Sequence, residues 1–417
     1  MSDGDAPEPA DGADEADGAD EAAHGPPLHV SLDVTAVPAQ PVGAGRYTID
    51  LSEALLARRD VALTLWSRRH DAPRWRALAS ATDASVRALA PGPRPLRLAW
   101  EQARLPRLLA GAGVAVHHGP HYTMPERARV PSVVTVHDLT FLEHPEWHER
   151  AKVVVLGRAI RVAARRAAAV VCVSRHSAAR FEQLCSPTGR VFVVPHGVDH
   201  TRFAPTPSAP AVASDDELLR RLGVRPPFVL FVGTLEPRKA VPELVEAFDR
   251  VAGEMPHLSL VLAGRPGWGA DAVAAAVTRA RAGARVLRTG YVPDDAVPAL
   301  LRRAAVTSYA AMEEGFGLPA LEALACGSPL VTTAGTTMAE LSDGAAVLVA
   351  PGSVDELAGA LRTVLVGGPR VEERRRAGLE VAARHTWAAS AAGHVAAYRW
   401  AASARRGSAE GRRTGAR

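Results

Sequence analysis

From Leu28 onward, short runs of β-branched and aliphatic residues alternate with longer stretches whose apolar positions recur every three or four residues. "LHVSLDV" predicts a strand, "PVGAGRY" a glycine turn, and "TIDLSEALLARR" a helix. Further strands are predicted at "VALTLW", "VAVHHG", "SVVTVHD", "AAVVCVS" and "RVFVVPHG". From Val198 to Arg225 the chain turns rich in Pro, Ser and Asp with one short helical stretch, which predicts a linker. A second block then repeats the alternation. Its strands are "FVLFVGT", "LSLVLAG", "ARVLRTGYV", "VTSYA", "PLVTT" and "AAVLVA", separated by helical stretches such as "ADAVAAAVTRARA", "DAVPALLRRA" and "SVDELAGALRTVL". This is the pattern of βα units around parallel sheets. It predicts an α/β chain of two Rossmann-like domains in tandem.

Composition sharpens that picture. A chain of 417 residues, 47% hydrophobic and 23% charged, suits two globular domains. No apolar run approaches the roughly 18–20 residues that span a bilayer, and the N-terminus is acidic where a signal peptide would be basic. Three scattered cysteines form neither a disulfide framework nor a metal cluster. A reducing, cytoplasmic setting is expected. Residues 1–27 carry nine acids and no Lys or Arg, which predicts a disordered tail. Without those acids the chain's net charge of +4 becomes +13, so the folded part favours anionic partners such as phosphates or a membrane surface. Only Lys152 and Lys239 are lysines among 49 basic residues. Where arginine serves as the generic cation, a retained lysine suggests a need for a compact ammonium.

Candidate chemistry gathers in two loops. In "EEGFGLPALEALACGSPLVTT", Glu314 and Glu322 enclose Gly315, Phe316, Gly317 and Leu318. "VTSYA" ends just before Glu314, so that acid lies at a strand's carboxyl edge, where open α/β sheets bind ligands. Pro319 suits a helix's first turn. The glycines let backbone N–H groups approach an anion at that helix start. Both acids are then placed to accept hydrogen bonds from vicinal hydroxyls, as a sugar or a ribose offers. A capping acid with a solvated partner is the plainer alternative. In "FVGTLEPRKAVPELVEAF", Arg238 and Lys239 fall in a second loop at the same edge. A guanidinium fork beside an ammonium suits a diphosphate.

Together these loops resemble the retaining GT-B glycosyltransferases of glycosyltransferase family 4. The likeness lies in Gly233-Thr-Leu-x-Pro-Arg-Lys239 and in Glu314-x7-Glu322 with Gly-Phe-Gly-Leu-Pro inside, and it extends from about Leu28 to Trp400. "LVLAGRPGWG", "RTGYVPDD" and "VVPHGVDHTRF" also look like family segments. The resemblance implies a GT-B fold: two Rossmann-like domains with parallel sheets facing an interdomain cleft. It divides the chain into an acidic tail (1–27), an acceptor domain (28–197), a linker (198–225), a nucleotide-sugar domain (226–385), a helix crossing back to the first domain (386–400) and a basic tail (401–417).

By the same resemblance, Arg238 and Lys239 hold the donor diphosphate and stabilise its leaving charge. Glu314 contacts the donor sugar, Glu322 the ribose, and the backbone from Gly315 to Leu318 lines sugar and phosphate. Gly264, Tyr291 and Val292 neighbour the base. Gly43 and Gly45 approach the donor phosphate, although structural glycines explain "VGAGRY" equally well. His137, ahead of Asp138, reaches the donor sugar, and His118 and His121 lie toward the acceptor. No metal or other cofactor is expected, because two cations already face the diphosphate. The expected partners are a nucleoside-diphosphate sugar and a sugar, glycan or lipid-linked acceptor, with no nucleic acid. "WEQARLP", "HGPHYTMP" and "GRPGW" resemble mannosyltransferase segments and point to GDP-mannose. Arg158, Arg161 and Arg165 share one face of a predicted helix, opposite Leu156, Ile160, Ala163 and Ala167. That face is either simply solvated or a peripheral contact with an anionic membrane. A nucleotide-sugar epimerase, a sugar phosphorylase and a catalytically idle sugar-binding subunit stay open as alternatives.

Overall fold

A computed structural model describes residues 26–206 and 208–414, so residues 1–25 of the expected acidic tail lie outside it. The apolar runs pair as two parallel sheets. The first joins β1 (Leu28–Asp33), β2 (Val61–Arg68), β3 (Ser85–Ala90), β4 (Val116–Gly119), β5 (Ser132–Val136), β6 (Ala169–Cys172) and β7 (Arg190–Val193) in the order β3-β2-β1-β4-β5-β6-β7. The second joins β8 (Phe228–Val232), β9 (Ser259–Ala263), β10 (Val286–Gly290), β11 (Val306–Tyr309), β12 (Leu330–Thr333) and β13 (Val347–Val349) in the order β10-β9-β8-β11-β12-β13. Helices cover both, and the architecture is the GT-B fold. Continuous apolar runs such as Phe228–Val232 are what a strand buried on both faces requires. Only β3 escaped the sequence reading: it is an edge strand, half exposed, with Arg87 interrupting its apolar positions.

Strand order reverses between β1 and β4 and again between β8 and β11, and such switch points open a crevice at the carboxyl ends. The loop carrying Arg238 and Lys239 leaves β8, and the loop carrying Glu314 leaves β11. The two loops identified from sequence therefore flank one crevice.

Two connections tie the halves together. Within the linker, the helix Ala209–Arg221 packs on the helix Ala296–Arg303, where buried Asp215 accepts two hydrogen bonds from Arg302. The last helix crosses back so that Ala391, Val395, Ala397, Tyr398 and Ala401 join the first domain's core. It also corrects the expected boundary at residue 400. The helix runs from Trp387 to Thr414, through a segment opened by helix-favouring Ala and Arg.

Candidate active site

The carboxyl ends of both sheets enclose a cleft of about 430 Å³. At its floor Arg238 Nη1 donates to Glu314 Oε2 at 2.6 Å, and the Tyr309 hydroxyl donates to the same oxygen at 2.8 Å. Arg238 Nε also reaches Glu236 at 2.9 Å. Burial alone would push the Glu314 carboxyl up, but Arg238, Lys239 and Tyr309 hold it below the usual carboxylate range. Burial likewise works against the Arg238 charge, but Glu314 and Glu236 keep it firmly protonated.

Lys239 is placed differently. It is 9% exposed and has no hydrogen-bond or ion-pair partner among the described residues; its ammonium lies 5.4 Å from the Tyr309 ring centroid. Burial and the neighbouring Arg238 lower its pKa. A Cβ at Gly233 would sit 2.7 Å from its Nζ, so the bare glycine backbone leaves the ammonium its space.

Around the second acid, Gly317 caps the helix Leu318–Ala325 with φ 91°, and a Cβ there would strike Met338. Pro319 brings no N–H to the first turn, and the N–H groups of Ala320 and Leu321 donate to the Gly317 carbonyl at 3.0 and 3.2 Å. Glu322 follows one turn on, and burial pushes its carboxyl up to about 7 despite Arg202 and Arg46 nearby. His137 donates its Nε2–H to the Pro120 carbonyl at 2.8 Å, and burial lowers its pKa, so the neutral ring keeps Nδ1 as an acceptor.

The domains meet across the cleft beside Gly315. Ser174 and Ser177 both donate to the Gly315 carbonyl, at 2.9 and 3.2 Å, and a Cβ on Gly315 would collide with the His137 carbonyl. Beside this contact Glu340 accepts hydrogen bonds from the N–H groups of Arg175 and His176 at a helix start.

Two family models match the chain: Glycosyltransferase Family 4 over residues 41–202 and Glycosyl transferases group 1 over residues 216–381. The chain is a GT-B glycosyltransferase of the family 4 type. It is 27% identical to the O-antigen chain mannosyltransferase B of Escherichia coli over 274 residues, 65% of this chain and 71% of that one. It is 34% identical to the D-inositol 3-phosphate glycosyltransferase of Kribbella flavida, over 51% of each chain. It is 31% identical to the GDP-mannose-dependent alpha-(1-6)-phosphatidylinositol monomannoside mannosyltransferase of Mycolicibacterium smegmatis, over 52% of this chain and 57% of that one. The chain thus spans about half the length of the last two. The sucrose-phosphate synthase of Thermosynechococcus elongatus has the same fold, with a TM-score of 0.73 and 21% identity over 89% of this chain and 98% of that one.

Of the residues singled out from sequence, Gly43, His137, Arg238, Lys239, Glu314, Gly315, Phe316, Gly317, Leu318 and Glu322 all line this glycosyltransferase's cleft. Others stand elsewhere. Gly45 is buried beneath Pro38 and Pro41, where its missing Cβ allows the turn to pack. Gly264 packs on the Gly233 carbonyl and donates its N–H to Gly290, so it shapes the loop rather than the lining. Tyr291 is outside the lining, under the Arg265 guanidinium, and Val292 is in the core. His118 is a core residue held by Thr135 and Tyr398 at 2.7 and 2.8 Å, not a group facing an acceptor. Arg158, Arg161 and Arg165 are exposed as expected, with Arg158 paired to Glu126.

The cleft also gathers residues the motifs did not reveal: Arg46, Tyr122, Lys152, His196, Arg202 and Asp294. Lys152 had a signal, since it is the other retained lysine. No group of three or more metal-ligating side chains occurs among the described residues, and no helix among them is long and apolar enough to cross a membrane.

Proposed function

We propose that this glycosyltransferase moves a hexose from a nucleoside-diphosphate sugar to a hydroxyl acceptor with retention of anomeric configuration and without a metal ion. The observation that carries this reading is the buried ammonium of Lys239, which forms no ion pair among the described residues, is offset only in part by Glu314 and Glu236 nearby, and faces bare backbone at Gly233 beside Arg238. A diphosphate supplies a direct partner, and it gains more negative charge as the glycosidic bond breaks. Fixed cations in a site shielded from water stabilise that change. Arg238, steadied by Glu314 and Glu236, takes the second phosphate. The departing sugar is oxocarbenium-like, and Glu314 and the Nδ1 of His137 accept hydrogen bonds from its hydroxyls. Retention follows if the acceptor attacks the face the phosphate leaves, the phosphate taking its proton.

Mannose is the sugar supported by the names of the Escherichia coli and Mycolicibacterium smegmatis relatives, and GDP as its carrier by the latter. Extension of a glycan, polysaccharide or glycolipid at the inner face of the cell membrane, with peripheral contact, suits the basic folded part. The test is a thermal-shift panel with GDP, UDP, dTDP and ADP, in which the true base stabilises by RT ln(1 + [L]/Kd). Turnover of the matching sugar nucleotide in EDTA, with the product anomer read by NMR, completes it. Loss of activity in chelator restored by Mg²⁺, or an inverted product, overturns this reading.

A further inference from the structure

A second cavity of about 190 Å³ lies behind Tyr122, and it shares none of Arg238, Lys239, Glu314 and Glu322 with the cleft. Its walls are Asp33 at the end of β1 and Thr35 beyond it, the helix Arg94–Ala103 with Arg94, Arg97 and Glu101, and the segment from His121 to Thr123 after β4. Tyr122 and Leu156 line both cavities, so the smaller opens beside the larger on the His137 side. Tyr122 itself has φ 65°, a left-handed conformation that bulky residues rarely adopt. Its hydroxyl is anchored at Asp138, donating to Oδ2 at 3.3 Å and accepting from the backbone N–H at 3.1 Å. Backbone strain of this kind persists where the surroundings over-determine it, and it clusters at ligand sites.

The cavity is built for a polar guest. Glu101 is 3% exposed; its Oε2 accepts from the Thr123 hydroxyl at 3.0 Å, while Oε1 has no hydrogen-bond partner among the described residues. Buried carboxyl oxygens are rarely left so. Asp33 is buried nearby, with Oδ1 accepting from Thr35 N–H at 2.8 Å, and Arg97 donates to the Thr35 carbonyl at 2.8 Å. Burial first, and then Asp33, push the Glu101 carboxyl up to about 8, so near neutrality it can both donate and accept. A hydroxyl group does the same and is the natural complement. The volume is below the roughly 300–1,000 Å³ of ordinary ligand pockets, which suits one ring rather than a chain. Arg94 also lines the cavity; it is exposed and has no partner among the described residues.

We propose that this cavity is the acceptor subsite, and that it seats one polyhydroxylated six-membered ring on Glu101 and Asp33, with an anionic substituent of that ring reaching Arg94. The proposal rests on the larger cleft being the donor site. The test is calorimetric titration of the full chain, saturated with the nucleoside diphosphate that stabilises it most. The probes are methyl α-D-mannopyranoside and myo-inositol, each free and as a phosphate monoester. At least one free ring binds, and its monoester binds about tenfold tighter. Glu101→Leu weakens ring and ester alike by about tenfold, and Arg94→Ala removes the ester's advantage while leaving the free ring unchanged. Diphosphate affinity, read in the same variants, reports that they are folded. The proposal is overturned if no ring binds the wild-type chain, if Glu101→Leu changes nothing, or if ester and ring bind equally. Failure of every nucleoside diphosphate to bind is the separate result that sinks the donor reading.

Discussion

Arg238 Nη1 and Glu314 Oε2 stand 2.6 Å apart, so the guanidinium is matched by a carboxylate of its own chain. Lys239, its chain neighbour, feels Glu314 and Glu236 but forms no ion pair or hydrogen bond with either, and burial lowers its pKa. The two cations therefore differ: Arg238 is tied directly to Glu314, whereas Lys239 forms no ion pair among the described residues.

Lys239→Ala is expected to lower kcat by about 10²–10³, the size of effect seen when one donor to a developing anion is lost. Lys239→Arg should recover less than a tenth of that, because a buried planar guanidinium cannot place its charge as the compact ammonium does. Steady-state kinetics on the intact donor decide it. Full activity in the Arg variant would show that the compact ammonium has no special part.

Why some of this was legible in sequence and some not is a matter of locality. β8 reads as a strand because burial on both faces demands an unbroken apolar run, and its partner loop announces itself by adjacent cations. The Glu314 loop is legible because Gly317 must take φ 91° against Met338. The packing of Gly264 on the Gly233 carbonyl is hidden for a related reason: a glycine that admits a ligand and one that admits the neighbouring loop's backbone look the same in a sequence. Tyr122, His196 and Arg202 come together only through tertiary folding, and the strained φ of Tyr122 has no signature in the letters around it. The role assumed for His118 failed because burial between Thr135 and Tyr398 depends on the last helix crossing back, 276 residues and more along the chain from that histidine to His394 and Tyr398.

A pH dependence follows from Glu322. Its carboxyl is pushed up to about 7, chiefly by burial, so the folded chain prefers it protonated. Its contribution to stability is complete below the ordinary glutamate value and is lost as pH rises through about 7. Ribose hydroxyls donate to the ionised form, so binding expels the proton and affinity should rise between about pH 6 and pH 8. Calorimetry in two buffers of different ionisation enthalpy measures the proton released. In Glu322→Gln the release at Glu322 should vanish, leaving only the ligand's own phosphate titration. An unchanged release would place the titrating group elsewhere.

Gly315→Ala tests the contact between the domains. The added methyl falls on the His137 carbonyl, and the Gly315 carbonyl is the acceptor for both Ser174 and Ser177. The domains must separate to admit it. kcat/KM should fall at least tenfold, since small displacements at a reacting centre cost about 10², and the radius of gyration from X-ray scattering should rise. Activity at the wild-type level with an unchanged scattering curve would mean that closure at Gly315 is not needed.

The two glutamates separate by what each touches. Glu322 lies beyond the helix start and away from Arg238, so Glu322→Ala should weaken nucleoside diphosphate binding by about 1–3 kcal/mol, the range for hydrogen bonds to a charged acceptor. Glu314 instead pairs with Arg238 and Tyr309. Removing it frees the guanidinium for phosphate, so Glu314→Ala should bind the diphosphate as well as or better than the wild type. Its deficit should appear in turnover, because a contact that strengthens as the sugar becomes oxocarbenium-like is expressed in kcat. Titration of both variants with the diphosphate, paired with kinetics on the intact donor, distinguishes the roles. Equal losses of diphosphate affinity in the two variants would mean that Glu314 does not face the sugar.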